Sequence, residues 1–127
     1  MKQFDVEFYY DASERSPVAD WIDDLGANDH KKNERILLQR IRHMFNLVQT
    51  FGSALSLPDG RKLTGVAEPP IWEIRIKTQN YYRIFWTLWQ GNALMLHWIQ
   101  KDTDKTPPRD IAKAQSNYWD WVRRFGI

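Results

Sequence analysis

The chain contains no cysteine, so it has neither a disulfide framework nor a thiolate metal ligand. It has no apolar run near the roughly 18 residues that a membrane span needs. It shows no signal-peptide pattern at its start, and a cytoplasmic location is expected. Histidine is scarce: His30, His43 and His97 stand far apart, and no carboxylate pair accompanies His97 at ligand spacing. No metal site and no cofactor are therefore expected. A Gly-rich phosphate loop and a G-x-S-x-G nucleophile turn are also missing. So are internal repeats, low-complexity segments and any linker that would divide the chain.

What is present is bulk and unevenly placed charge. With 127 residues, 43% of them hydrophobic and seven of them tryptophan, residues 1–127 are expected to form one domain. Net charge is only +2, but residues 1–30 carry two basic and eight acidic side chains, net −6, whereas residues 31–127 carry sixteen and eight, net +8. Such asymmetry points toward an anionic partner.

Residues 3–10 alternate Phe4, Val6, Phe8 and Tyr10 against Asp5 and Glu7, which predicts a strand with one buried face. Ser16-Pro17 is a helix start, Val18, Trp21, Ile22 and Leu25 follow at helical spacing, and Gly26 is the expected stop. A longer helix is predicted from about His30 to Phe51, with Leu37, Ile41, Met44, Phe45 and Val48 on one stripe. Residues 53–70 read as a long connection carrying Arg61 and Lys62. Three strands are expected at 71–77, 81–89 and 93–101, separated by short turns. Thr106-Pro107 is expected to cap a last helix reaching Phe125, with Trp119 off its apolar stripe. The order β-α-α-β-β-β-α predicts an α+β fold, an antiparallel sheet with its helices packed on one face.

Alternation sorts the three central strands into faces. Even positions, Ile74, Ile76, Ile84, Trp86, Leu88, Leu94, Leu96 and Trp98, are all apolar and form the expected core face. Odd positions include Arg75, Lys77, Tyr81, Arg83, Phe85, Met95, His97 and Lys101. Short turns would set Arg75 opposite Arg83, Phe85 opposite His97 and Tyr81 opposite Lys101. Two arginines side by side are unfavourable unless something anionic relieves them. Either the face receives an anion, or it is a solvated basic surface in which Glu73 pairs with the arginines.

A metal-free set of Arg, Lys and His suits cleavage of RNA by its own 2′-hydroxyl. That reaction needs a base, an acid and fixed positive charge around the phosphate. Histidine is the side chain suited to act as base or acid near neutral pH, which makes His97 the candidate, and arginine offers phosphate a planar fork.

The runs KLTG (62–65), IWEIRI (71–76), YYRIFW (81–86) and LHWIQKDTDKTP (96–107) resemble the HigB-like, phage-derived branch of the RelE/ParE toxin superfamily. The residue after the motif histidine, commonly small in that branch, is Trp98 here. The resemblance implies a RelE-like fold and the toxin of a type II toxin–antitoxin system, a ribosome-dependent, metal-independent mRNA endoribonuclease that inhibits translation. Its partners would be the ribosome, mRNA and a cognate antitoxin, often a helix-turn-helix protein. By motif position, Arg75 and Arg83 would hold the scissile phosphate. His97, Lys101 and Lys105 would supply proton transfer and further phosphate contacts, with Lys62 on the RNA backbone. Arg61, Lys77 and Tyr81 are candidate RNA contacts beside them. The same superfamily fold also hosts gyrase-inhibiting, ParE-like toxins without nuclease activity, and a relative that only binds its antitoxin is a further alternative.

Overall fold

A computed structural model describes residues 3–102 and 105–127, so Thr103 and Asp104 of the last motif lie outside the described residues. The elements are β1 (Val6–Phe8), α1 (Pro17–Ala27), α2 (Lys32–Phe51), a short 3-10 turn (Gly52–Ala54), β2 (Gly60–Lys62), β3 (Trp72–Lys77), β4 (Tyr81–Trp89), β5 (Asn92–Lys101) and α3 (Pro108–Phe125). They form a five-stranded sheet in the order β1-β5-β4-β3-β2. The α+β class and the expected order of elements are found, with one added strand, β2, taken from the stretch read as a loop.

Two expectations about the layers are corrected. The sheet is mixed, because β1 runs parallel to β5, with Val6 beside Ala93. The helices also cover both faces. Val18 of α1 and Leu37, Leu38, Ile41, Met44 and Val48 of α2 pack with Ile74, Ile76, Ile84 and Trp86. Ala114 and Trp121 of α3 pack with Phe85, Leu94 and Leu96 on the other side. The apolar even face was legible, but Phe85 and the aromatic stripe of α3 make a second core beneath part of the odd face.

The β4–β5 hairpin explains how Leu94 and Leu96 changed faces. Its turn is Gln90-Gly91, two residues with φ +50 and +78, and Trp89 pairs with Asn92. Both central residues with positive φ give the twist that suits a two-residue hairpin. A bulge follows: Phe85 pairs with His97 but Trp86 pairs with Met95, so Leu96 has no partner across the ladder. The short turn and the bulge each move the register by one, and they cancel. Beyond the bulge, the pairings expected from sequence hold. Before it, Met95 takes the place on the α1/α2 side and Leu94 faces α3. The Leu96 carbonyl, displaced by the bulge, accepts a hydrogen bond of 2.8 Å from Nδ2 of buried Asn117 on α3.

Local chemistry sets the ends. The Ser16 hydroxyl caps α1 by accepting from the Ala19 amide, 3.3 Å away. The helix runs one residue past Gly26. Gly52 ends α2 at φ +53, and a Cβ there would fall 2.2 Å from the Phe4 ring, so both conformation and space require glycine. Trp98 lies against Trp21 of α1 with ring centres 3.9 Å apart and planes within 4°, tying that helix to β5. Among the described residues no helix is long and apolar enough to cross a membrane.

A polar latch joins the residue that follows β1 to α3. The Tyr9 hydroxyl donates to Asp120 at 2.8 Å, and Arg123 and Arg124 reach the same carboxylate at 2.9 and 3.0 Å. The hydrogen bond from Tyr9, then that from Arg123, holds the Asp120 carboxyl down to about 2. Burial first, then the bond to Asp120, pushes the Tyr9 hydroxyl up to about 12.

Two outcomes follow from this architecture. Asn117→Leu strands the Leu96 carbonyl in the core and lowers unfolding free energy by about 1–3 kcal/mol, read from urea denaturation. The Tyr9–Asp120 contact stabilises the fold between the two ordinary titration ranges, about 4 and 10. Its acid side is lost as pH falls through about 2 and its alkaline side as pH rises through about 12. Asp120→Asn therefore shows a shallower loss of Tm between about pH 4 and 2 than the parent chain.

Candidate functional site

The odd-numbered side chains of β3, β4 and β5 form rows across the sheet. Arg75 is beside Arg83 and then Ile99, Lys77 beside Tyr81 and then Lys101, and Glu73 beside Phe85 and then His97. The register expected from the sequence therefore brings Arg75, Arg83, His97, Lys77, Tyr81 and Lys101 onto one face. Neighbouring strands are about 5 Å apart and alternate residues about 7 Å, so the patch spans roughly 10–15 Å each way. Edge strand β2 extends the last row by setting Arg61 opposite Glu73.

Glu73 organises the arginines. The residue is 1% exposed, and Oε2 lies 3.6 Å from Nε of both Arg83 and Arg61. The Thr106 hydroxyl donates to Oε1 at 3.2 Å. Thr106 is therefore not the cap of α3; the helix begins at Pro108 without a side-chain cap. Arg83 is 2% exposed and also donates from Nη1 to its neighbour's carbonyl, Tyr82 O, at 3.0 Å. Of the two readings left open for the arginines, pairing with Glu73 is the one seen at Arg83. Arg83 is turned into the protein toward a carboxylate, because a charge buried this deeply must be paired. Arg75 is half-buried and forms no ion pair among the described residues.

Three shallow clefts border the patch. The first, about 330 Å³, is lined by Leu57, Pro58, Arg75, Lys77, Tyr81 and Arg83 among others. The second, about 650 Å³, has Arg61, Lys62 and Lys105 in its wall. The third, about 520 Å³, has Lys101, Lys105, Arg109 and Asp110. Lys105 and Pro107 are common to the second and third. The expected cations thus divide between a cleft at the β3–β4 end and a pair of clefts meeting at Lys105. Lys101 is buried and Lys105 exposed. Lys62 pairs with Trp72 on the opposite face, its ammonium 5.5 Å from that ring centre. Lys77 lies 5.4 Å from the Tyr81 ring centre.

His97 lines none of these three clefts. Its ring stacks on Phe85, 6.0 Å between centres, and its Nε2 lies 3.0 Å from Oδ1 of Asp110 in the first turn of α3. Both side chains are 17% exposed. Asp110 lines the third cleft, so the imidazole reaches its wall through this carboxylate. Among the described residues no cluster of three or more side chains suits a metal ion.

Sequence reasoning missed Asp110, Thr106 and the pairing of Arg61. Each depends on how the connections fold back over the sheet. The one available signal was Glu73, an acid on an otherwise basic face.

Residues 20–119 match the family described as phage derived protein Gp49-like (DUF891), and the chain belongs to that family. No curated protein matches the chain.

Replacing Glu73 by Ala leaves Arg83 charged and buried without its carboxylate. The expected cost is about 3–5 kcal/mol of unfolding free energy, measured by chemical denaturation. Arg61→Ala, on the exposed side of the same carboxylate, is expected to cost about 1 kcal/mol or less.

Proposed function

We propose that this member of the Gp49-like family is the toxin of a type II toxin–antitoxin pair, of the HigB-like branch. It acts in the cytoplasm as a ribosome-dependent, metal-independent mRNA endoribonuclease, silenced by a cognate antitoxin of the helix-turn-helix kind. The observation that carries the reading is the row-by-row assembly of Arg75, Arg83, His97, Lys77, Tyr81 and Lys101 on one sheet face. Family membership supports the toxin part, since the Gp49-like family is often toxin–antitoxin-related.

In this mechanism Arg75, which lines an open cleft, contacts the phosphate directly. Arg83 backs it from inside, held by Glu73. The imidazole of His97 takes the proton of the 2′-hydroxyl as the 2′-oxygen bonds to phosphorus. The bond from phosphorus to the 5′-oxygen breaks, and the departing oxygen takes a proton from an ammonium group, with Lys105 at the junction of two clefts in reach of a bound strand. The products are a 2′,3′-cyclic phosphate and a 5′-hydroxyl. Lys101 supplies fixed positive charge, and Arg61, Lys62, Lys77 and Tyr81 flank the path of the RNA.

A second reading has an observation of its own. Arg83 and His97 are each engaged by a carboxylate, Glu73 and Asp110. That favours a toxin that binds gyrase, or a protein that only binds its antitoxin, and cuts no RNA.

The purified protein is expected to cleave mRNA on translating ribosomes with no metal added beyond the magnesium that the ribosomes themselves need. Arg75→Ala lowers the cleavage rate by about 10²-fold, and His97→Ala by about 10²–10⁴-fold. Intact mRNA with induction of DNA damage would establish the gyrase reading instead, and unchanged growth on expression would establish the antitoxin-binding one.

A further inference from the structure

The contact between His97 and Asp110 carries more than proximity. Within the nuclease reading above, we infer that Asp110 is the positioning residue of the base: it accepts the hydrogen bond from Nε2–H of His97 and leaves Nδ1 as the nitrogen that accepts from the 2′-hydroxyl. A neutral imidazole has one N–H and one lone pair, and the hydrogen bond made by one nitrogen decides which is which. An ionised carboxylate only accepts, so at 3.0 Å from Oδ1 the Nε2 atom must be the donor. Among the described residues the ring makes no other hydrogen bond, so nothing competes for the opposite assignment.

The carboxylate is itself fixed in place. Asp110 is in the first turn of α3, where the helix start favours negative charge. Its amide donates to Pro107 O at 3.0 Å, and Pro108 opens the helix. Arg109 reaches Oδ2 only at 3.9 Å and is 88% exposed, so it leaves Oδ1 to His97. On the other side, Phe85 stacks against the imidazole and restricts the rotation that would exchange the two nitrogens. The bulge at Leu96 places His97 in line with Phe85 for this contact. A carboxylate in the first turn of a helix, an aromatic stack and a bulge thus converge on one ring orientation.

The first test needs no activity. Long-range ¹H–¹⁵N correlation spectra of the wild-type chain, taken at about pH 8.5 where an ordinary histidine is neutral, are expected to show the Nε2–H tautomer at His97. In Asp110→Ala the two tautomers are expected to mix. Cleavage by Asp110→Ala falls by about 10²-fold in kcat with KM within about threefold, as for misplacement of a reacting group. Asp110→Glu, which keeps a carboxylate that can only accept from Nε2, recovers the tautomer and part of the rate. An Nδ1–H tautomer in the wild type overturns the assignment, as does an Asp110→Ala chain with unchanged tautomer and unchanged kcat. If the wild type shows Nε2–H yet cuts no mRNA on ribosomes, the nuclease reading has failed, and the positioning role falls with it.

Discussion

The hydrogen bond from Asn117 to the Leu96 carbonyl is the constraint on which the site's geometry turns. A bulge takes one residue out of the ladder, and its backbone still needs partners in a dry interior. The Asn117 side chain supplies one from α3, between Ala114 and Trp121. The same contact that makes the bulge tolerable therefore fixes the helix to the strand. His97, next to the bulge, then meets Asp110 two turns earlier on that helix. The catalytic candidate, the register and the packing of the last helix form one unit.

Around that unit, the charges are arranged by depth. Glu73 is buried between Arg83, which is buried with it, and Arg61, which is exposed. Arg75, opposite Arg83 in the register, stands at a cleft wall and forms no ion pair among the described residues. Two arginines that look equivalent in the sequence thus do different work: one is tied to the scaffold, the other is presented. A phosphate arriving at Arg75 would meet a cation whose neighbour is already neutralised, so the side-by-side repulsion is relieved before any ligand binds.

Much of this was legible in the residues. Alternation identified the basic face, and the pairs Arg75–Arg83, Phe85–His97 and Tyr81–Lys101 are those found. The agreement has a hidden cause, since a shorter turn at Gln90-Gly91 and the bulge at Leu96 offset each other. Where they do not offset, at Leu94, Leu96 and Met95, the assignment of faces failed. All three side chains are apolar, so periodicity had no polar residue to mark the change. Strand β2 was hidden because three residues are too few to show a period, and because Gly60 and Lys62 are poor strand formers. The carboxylate partner of His97 lies 13 residues away, after a turn whose path no local rule fixes.

The two outermost strands share a property that bears on how the molecule behaves in a crowded solution. Each is only three residues long, and one ends in Arg61 and Lys62 while the other has Glu7 at its centre. A sheet exposes unpaired amides at its rims, and long, flat, apolar rims recruit other chains into fibrils. Here the long, tryptophan-rich strands are all interior to the sheet, and the rims are brief and charged. A protein with this much aromatic surface is thereby kept from sticking edge to edge to its own copies.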